Sequence, residues 1–83
     1  MEIIYQGAES IIYLSEYDNQ RILVKERIRK EYRVPQLDDE LRKTRTRKEV
    51  KLLTEARKLG ISTPTIYHVD EKECKIMMEF IDG

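Results

Sequence analysis

The chain has a single cysteine, a single histidine, no long apolar run and no net charge of either sign. One cysteine, Cys74, cannot form an internal disulfide, which fits a reducing compartment. No apolar stretch approaches the roughly 20 residues that a membrane helix needs. The opening Met-Glu-Ile-Ile-Tyr has neither the basic start nor the apolar centre of a secretory leader. His68 has no second metal ligand near it in the sequence, so no metal site is expected within the chain. Aromatic residues are only 7% of the total. No strand clusters them, which leaves no platform for stacking single-stranded bases. These absences point to an intracellular, cytoplasmic chain with no membrane contact.

What is present fits one small domain. The chain has 83 residues, 39% of them charged and 40% hydrophobic. That is too apolar for a disordered segment, and a domain of this size sits near the limit of independent stability. The zero net charge hides an asymmetry. Between Lys25 and Lys51 there are eleven Lys or Arg and six Asp or Glu, so a basic middle is offset by acidic flanks. Such a segment can meet phosphates, or it can be a solvated helix with interleaved charges.

The periodicities predict the order β-β-β-α-β-β. Glu2–Gln6 reads as a strand ending at Gly7. Ser10–Ser15 is β-branched and aromatic, and Arg21–Ile28 surrounds the apolar Ile22-Leu23-Val24, so both read as strands joined by the polar turn 17–20. Residues 29–36 are basic, contain Pro35 and read as a loop. Asp38, Asp39 and Glu40 open a helix expected over 39–59, with Arg57 and Lys58 in its last turn and Gly60 as its stop. Thr65–Asp70 and Cys74–Phe80 read as two further strands. The fold expected is α+β: a largely antiparallel five-stranded sheet with one long helix.

Three features of this pattern carry chemistry. On the helix, Arg45, Leu52, Leu53 and Ala56 lie within about 60° of Glu49, with Leu41 and Leu59 flanking the same stripe, so a carboxylate sits on the face expected to meet the sheet. Burying it without a cation is costly. Arg45, one turn away, is a local candidate partner. Lys25 is a more distant one, since it interrupts an apolar strand and shares a face with Leu23. An ion pair between Lys25 and Glu49 would hold the ammonium ready for phosphate oxygens. The alternative is that both are simply surface charges on a half-buried sheet and helix. The third feature is the turn Gly7-Ala8-Glu9-Ser10. A glycine there allows close approach of a ligand, although one glycine is a weak phosphate-loop signal and an ordinary turn is the commoner meaning.

The order of elements resembles the N-terminal lobe of a protein kinase. Gly7-Ala8-Glu9-Ser10-Ile11-Ile12-Tyr13 resembles the shortened nucleotide loop of atypical kinases. Val24-Lys25-Glu26-Arg27, then Lys30 to Asp38 and Arg45-Thr46-Arg47-Lys48-Glu49, are similar to the small kinase-ATPase subunit of the KEOPS complex, the PRPK family. The likeness covers the whole chain and is most specific from Val24 to Glu49.

This resemblance implies a set of roles. Lys25 would contact the α- and β-phosphates of ATP and Glu49 would pair with it. Gly7, Ala8, Glu9 and Ser10 would cover the phosphates, although an acid such as Glu9 beside phosphates has no evident purpose. Ile12 and Leu23 would form the apolar ceiling over adenine. Met78 would be the gatekeeper, and Glu79 to Ile81 the hinge whose backbone bonds the adenine edge. The catalytic Asp and the Mg ligands belong to a C-lobe, and no His-Arg-Asp, His-Gly-Asp or Asp-Phe-Gly run occurs here. Residues 1–83 are therefore expected to be an N-lobe fragment, inactive alone, of an atypical serine/threonine kinase or ATPase. That protein would support threonylcarbamoyl-adenosine modification of tRNA. The implied partners are the threonylcarbamoyl-transferase subunit, a small regulatory subunit and tRNA. Two other readings stay open: a non-catalytic docking module for another KEOPS subunit, and a small RNA-binding domain using the basic middle.

Overall fold

Tyr17 and Gln20 face each other across a two-residue turn in which Asp18 and Asn19 both take positive φ, 53° and 64°. Such a turn matches the natural twist of a hairpin, and Asp and Asn are among the residues that tolerate it. It joins the second and third strands of a computed structural model that describes residues 2–30 and 33–80. The described residues form β1 (Glu2–Gln6), β2 (Ser10–Tyr17), β3 (Gln20–Arg27), α1 (Pro35–Lys58), β4 (Ile66–Asp70) and β5 (Lys75–Glu79). The sheet order is β1-β2-β3-β5-β4, with every neighbouring pair antiparallel. This is the kinase-like N-lobe arrangement. Pairing shifts register in β1 between Ile3 and Tyr5 and in β4 between Ile66 and His68. These are the two outer strands, and irregularities there discourage edge-to-edge association.

Register decides which side chains share a face, because directly paired residues point the same way and alternate residues of a strand do too. One row across the sheet is Ile12, Lys25, Ile76 and Val69. The next is Leu14, Leu23, Met78 and Ile66. Helix α1 lies over this face, where Ile76 and Met78 are buried. The opposite face carries Ile22 and Val24, also buried.

Helix α1 starts four residues before the expected position. Pro35 occupies its first turn, where the missing N–H costs nothing and the fixed φ suits a helix. The loop expected over 29–36 therefore stops short of Pro35. At the other end, Gly60 has φ 85°; its N–H donates to the carbonyl of Arg57, and that of Ile61 to the carbonyl of Ala56. This pair of bonds is the Schellman arrangement, and the stop expected at Gly60 is there. The strands differ from expectation by one or two residues at their ends, as frayed edges do.

The buried stripe of α1 is polar. Asp38, Arg42 and Thr46 are its buried residues, followed by the half-buried Glu49, Leu53 and Ala56. At 100° per residue this stripe is rotated by roughly 30° from the one expected around Arg45 and Leu52. Leu52 and Leu59 consequently stand exposed, and Leu41 is on the border. The cause lies in Arg42. Its guanidinium donates to the carbonyl of Arg27 at 3.0 Å, to that of Glu73 at 3.4 Å and to Asp39 at 3.3 Å. Polar bonds to the end of β3 and to the turn between β4 and β5 set the helix azimuth here, and leucine packing does not.

Candidate functional site

Three charged side chains converge where β3 passes under α1. Lys25 and Arg27 are two apart on β3, so they share a face. Lys25 Nζ donates to Glu49 Oε2 at 2.8 Å, and Arg27 Nη2 donates to Glu49 Oε1, also at 2.8 Å. Each of the three is 18–24% exposed. Partial burial strengthens such charge-assisted bonds, and having both carboxylate oxygens paired offsets the cost of removing them from water. One carboxylate shared by two cations leaves the cluster with an excess positive charge. Arg45, the nearer candidate in sequence, pairs with Glu9 instead.

The turn between β1 and β2 approaches this cluster and is held at several points. The Gly7 N–H donates to the carbonyl of Ser10 at 2.8 Å, and the Ile28 N–H donates to the carbonyl of Glu9 at 3.0 Å. Lys30 Nζ donates to the carbonyl of Ala8. Glu9 Oε1 meets Arg33 Nη2 at 3.0 Å, and Oε2 meets Arg45 Nη1 at 3.5 Å. Gly7 does not have a positive φ. A Cβ there would sit 3.1 Å from the ring of Tyr5, so glycine makes room for a neighbouring aromatic.

The apolar residues expected to line the site lie on the Lys25 face. Ile12 pairs with Lys25, and Leu23 pairs with Met78. Met78 is buried, while Ile12 and Leu23 are half-buried. Glu79 points the other way. Its N–H donates to the carbonyl of Thr65 at 2.8 Å, and its carboxylate accepts from the Thr65 N–H at 3.4 Å. Ile81, with Glu31 and Tyr32 of the basic loop, lies outside the described residues.

Four residues of this region had no part in the site assigned from sequence. Arg27 shares Glu49 with Lys25, and the Lys-x-Arg spacing on a strand was the available signal. Arg42 ties α1 to the end of β3 and to the turn between β4 and β5. Thr46 is buried, its hydroxyl donating to the carbonyl of Arg42 at 2.8 Å. Asp38 is fully buried, with Oδ1 accepting from Arg33 Nη1 at 3.3 Å and from the Lys30 N–H at 3.4 Å, while Oδ2 has no hydrogen-bond partner among the described residues. Arg33 therefore spans Glu9 and Asp38.

Away from the cluster, Arg47 forks onto Glu71 through two 3.2 Å contacts, tying α1 to the turn between β4 and β5. The hydrogen bond and then the charge of Arg47 hold the Glu71 carboxyl below its ordinary range, and Glu71 raises Arg47 in the same way. Cys74 is buried at φ 57°, its thiol donating to the carbonyl of Glu71 at 3.4 Å. Hollows of about 450 and 360 Å³ lie elsewhere, beside Tyr13 and Arg21 and beside Ile22 and Met77. Among the described residues no group of three or more His, Cys, Asp or Glu could hold a metal, and no helix is long and apolar enough to cross a membrane.

No protein-family model matches the chain. Individual proteins do. The KEOPS complex subunit Bud32 of Pyrococcus abyssi is 43% identical over 89 aligned residues, which take in all of this chain and 40% of that protein. A probable bifunctional tRNA threonylcarbamoyladenosine biosynthesis protein of Methanosarcina mazei is 46% identical over 83 residues, 99% of this chain and 15% of that one. Its counterpart in Methanobrevibacter smithii is 43% identical over 81 residues, 98% of this chain and again 15% of the relative. The chain thus spans less than half the length of each.

Proposed function

We propose that this chain, a homologue of KEOPS subunit Bud32 over the stretch the two share, is the nucleotide-binding lobe of an atypical serine/threonine kinase or ATPase. The observation that carries the reading is the grip of Lys25 and Arg27 on the two oxygens of Glu49, on the same sheet face as Ile12, Leu23 and Met78. A phosphate oxygen can share the Lys25 ammonium without releasing Glu49, because Arg27 keeps the second carboxylate oxygen. The apolar row beside it suits a flat, uncharged base. Bound ATP would supply the transferable phosphoryl group. The residues here would bind and orient it, while a catalytic base and the Mg ligands would come from outside this chain.

In this reading the lobe works in tRNA threonylcarbamoyladenosine biosynthesis, in the cytoplasm. Its partners would be the threonylcarbamoyl-transferase subunit, a small regulatory KEOPS subunit and tRNA. The relatives' names, a KEOPS complex subunit and tRNA threonylcarbamoyladenosine biosynthesis proteins, support the tRNA-modification part of this reading. Glu79 would contribute its carbonyl alone to the adenine edge, since its N–H is engaged by Thr65.

The test is Lys25→Ala in the protein that carries this lobe. ATP hydrolysis should disappear while the circular dichroism and melting of the lobe stay as they were. Undiminished hydrolysis would sink the phosphate role.

A docking role without turnover has its own observation. Leu37, Leu41, Leu52 and Leu59 are exposed, and at 100° per residue they fall within about 60° of one another on α1. Pull-down of this chain with each KEOPS subunit, followed by Leu52→Glu, separates this reading from the first. No recovery, or recovery indifferent to Leu52, counts against it.

A further inference from the structure

An acid in a turn meant to cover phosphates repels its ligand unless it is doing something else. The structure gives Glu9 such a task. Its two oxygens are taken by guanidiniums from two separate segments, Arg33 of the basic loop and Arg45 of α1. Its own carbonyl accepts the Ile28 N–H just beyond β3. The preceding carbonyl, that of Ala8, accepts Lys30. Arg33 continues to the buried Asp38 in the first turn of α1. The turn, the basic loop and the helix carrying Glu49 are therefore joined through one side chain.

We infer that Glu9 is a positioning residue that braces the turn 7–10 against α1 and the basic loop. It does not contact the nucleotide. It pairs with two arginines and so fixes them in place, and it holds the turn backbone at a set height above Lys25 and Arg27. The role of this turn toward nucleotide rests on the reading above; the brace itself does not.

The acid also explains the composition of the basic segment. Arg33 and Arg45 are not surplus positive charge awaiting RNA. Their charges are consumed inside the lobe by Glu9 and Asp38, while the cluster at Glu49 keeps its excess.

Two measurements on Glu9→Gln test this, with Glu9→Asp as the conservative control. The first needs no ligand. Amide hydrogen exchange at Ile28, whose N–H is bonded to Glu9, should quicken about three- to fivefold in Glu9→Gln, the size expected for losing half-exposed ion pairs. Amides of Ile76 and Met78 in β5 should keep their rates, and Glu9→Asp should restore much of the protection. Unchanged exchange at Ile28 overturns the brace, and equal quickening in β5 replaces it with a general loss of stability.

The second measurement compares ADP with adenosine by calorimetry. Glu9→Gln should weaken ADP several-fold and leave adenosine as it was. Tighter ADP binding would overturn the brace by making Glu9 a competitor of the phosphates. Equal loss for both ligands would overturn it as well. If the unmutated protein bound no ADP, the nucleotide reading would fall, and the exchange experiment would still decide the brace.

Discussion

Arg42 on α1 donates from Nε to the main-chain carbonyl of Arg27 at 3.0 Å, so the helix is tied to the same strand residue whose side chain holds Glu49. The bond joins the scaffold to the site. Arg42 is buried and its other nitrogens reach Glu73 and Asp39. Arg42→Ala should cost about 2–4 kcal/mol, because it strands two carbonyls and leaves a gap. Arg42→Lys, which lacks the fork, should recover only part of that. Denaturant unfolding followed by circular dichroism gives both numbers. An alanine variant within 0.5 kcal/mol of the parent, the range usual for neutral surface changes, would refute the anchoring role.

Gly60 isolates a backbone effect. At φ 85° it is in a region that side chains disfavour, and a Cβ there would meet nothing within 4 Å. Gly60→Ala should therefore destabilise by roughly 1 kcal/mol through conformation alone. Gly60→Asn should cost less, because Asn tolerates that region better. Thermal melting of the two variants side by side is the check.

Gly7 makes the opposite case, a cost from contact and not from conformation. A methyl group there would approach the Tyr5 ring to 3.1 Å. Tyr5 is exposed, so the ring can give way and Gly7→Ala should cost only about 0.5–1 kcal/mol. In a Tyr5→Ala background that cost should vanish. A double-mutant cycle showing no coupling between the two positions would refute the account.

The exposed Arg47–Glu71 fork sets a pH dependence of known sign. Folding lowers the Glu71 pKa, first through the hydrogen bond from Arg47 and then through its charge. Between the folded and unfolded values the unfolded state binds more protons, so this contribution is present above the ordinary glutamate range and fades as pH falls through the lowered value. An NMR titration should show Glu71 titrating below ordinary glutamates. In Arg47→Met, or in high salt, its midpoint should rise toward them. A midpoint unmoved by either change would count against the fork.

Much of this was legible from residue types. The Asp18-Asn19 turn, the Gly60 stop and the order of strands follow from local rules, because positive φ, β-branching and helix periodicity act over a few residues. The pairing of Lys25 with Glu49 was one of two options, since Arg45 stood closer in sequence. Arg45 is drawn away by Glu9, a contact spanning three elements that no local pattern announces. Arg27 was passed over for a related reason: on a strand end it reads as solvated until a helix is laid above it.

The amino-acid sequence alone determined the elements, their order and the lysine-bearing face of β3, since each depends on neighbours along the chain. Only the tertiary structure decided which charges pair. The sequence pattern turned α1 toward its leucines, whereas the bonds from Arg42 to the end of β3 and to the β4–β5 turn rotated it by roughly 30°, about a third of one residue step. Ion pairs depend on distance in space, and that distance exists only after the helix has found its angle on the sheet.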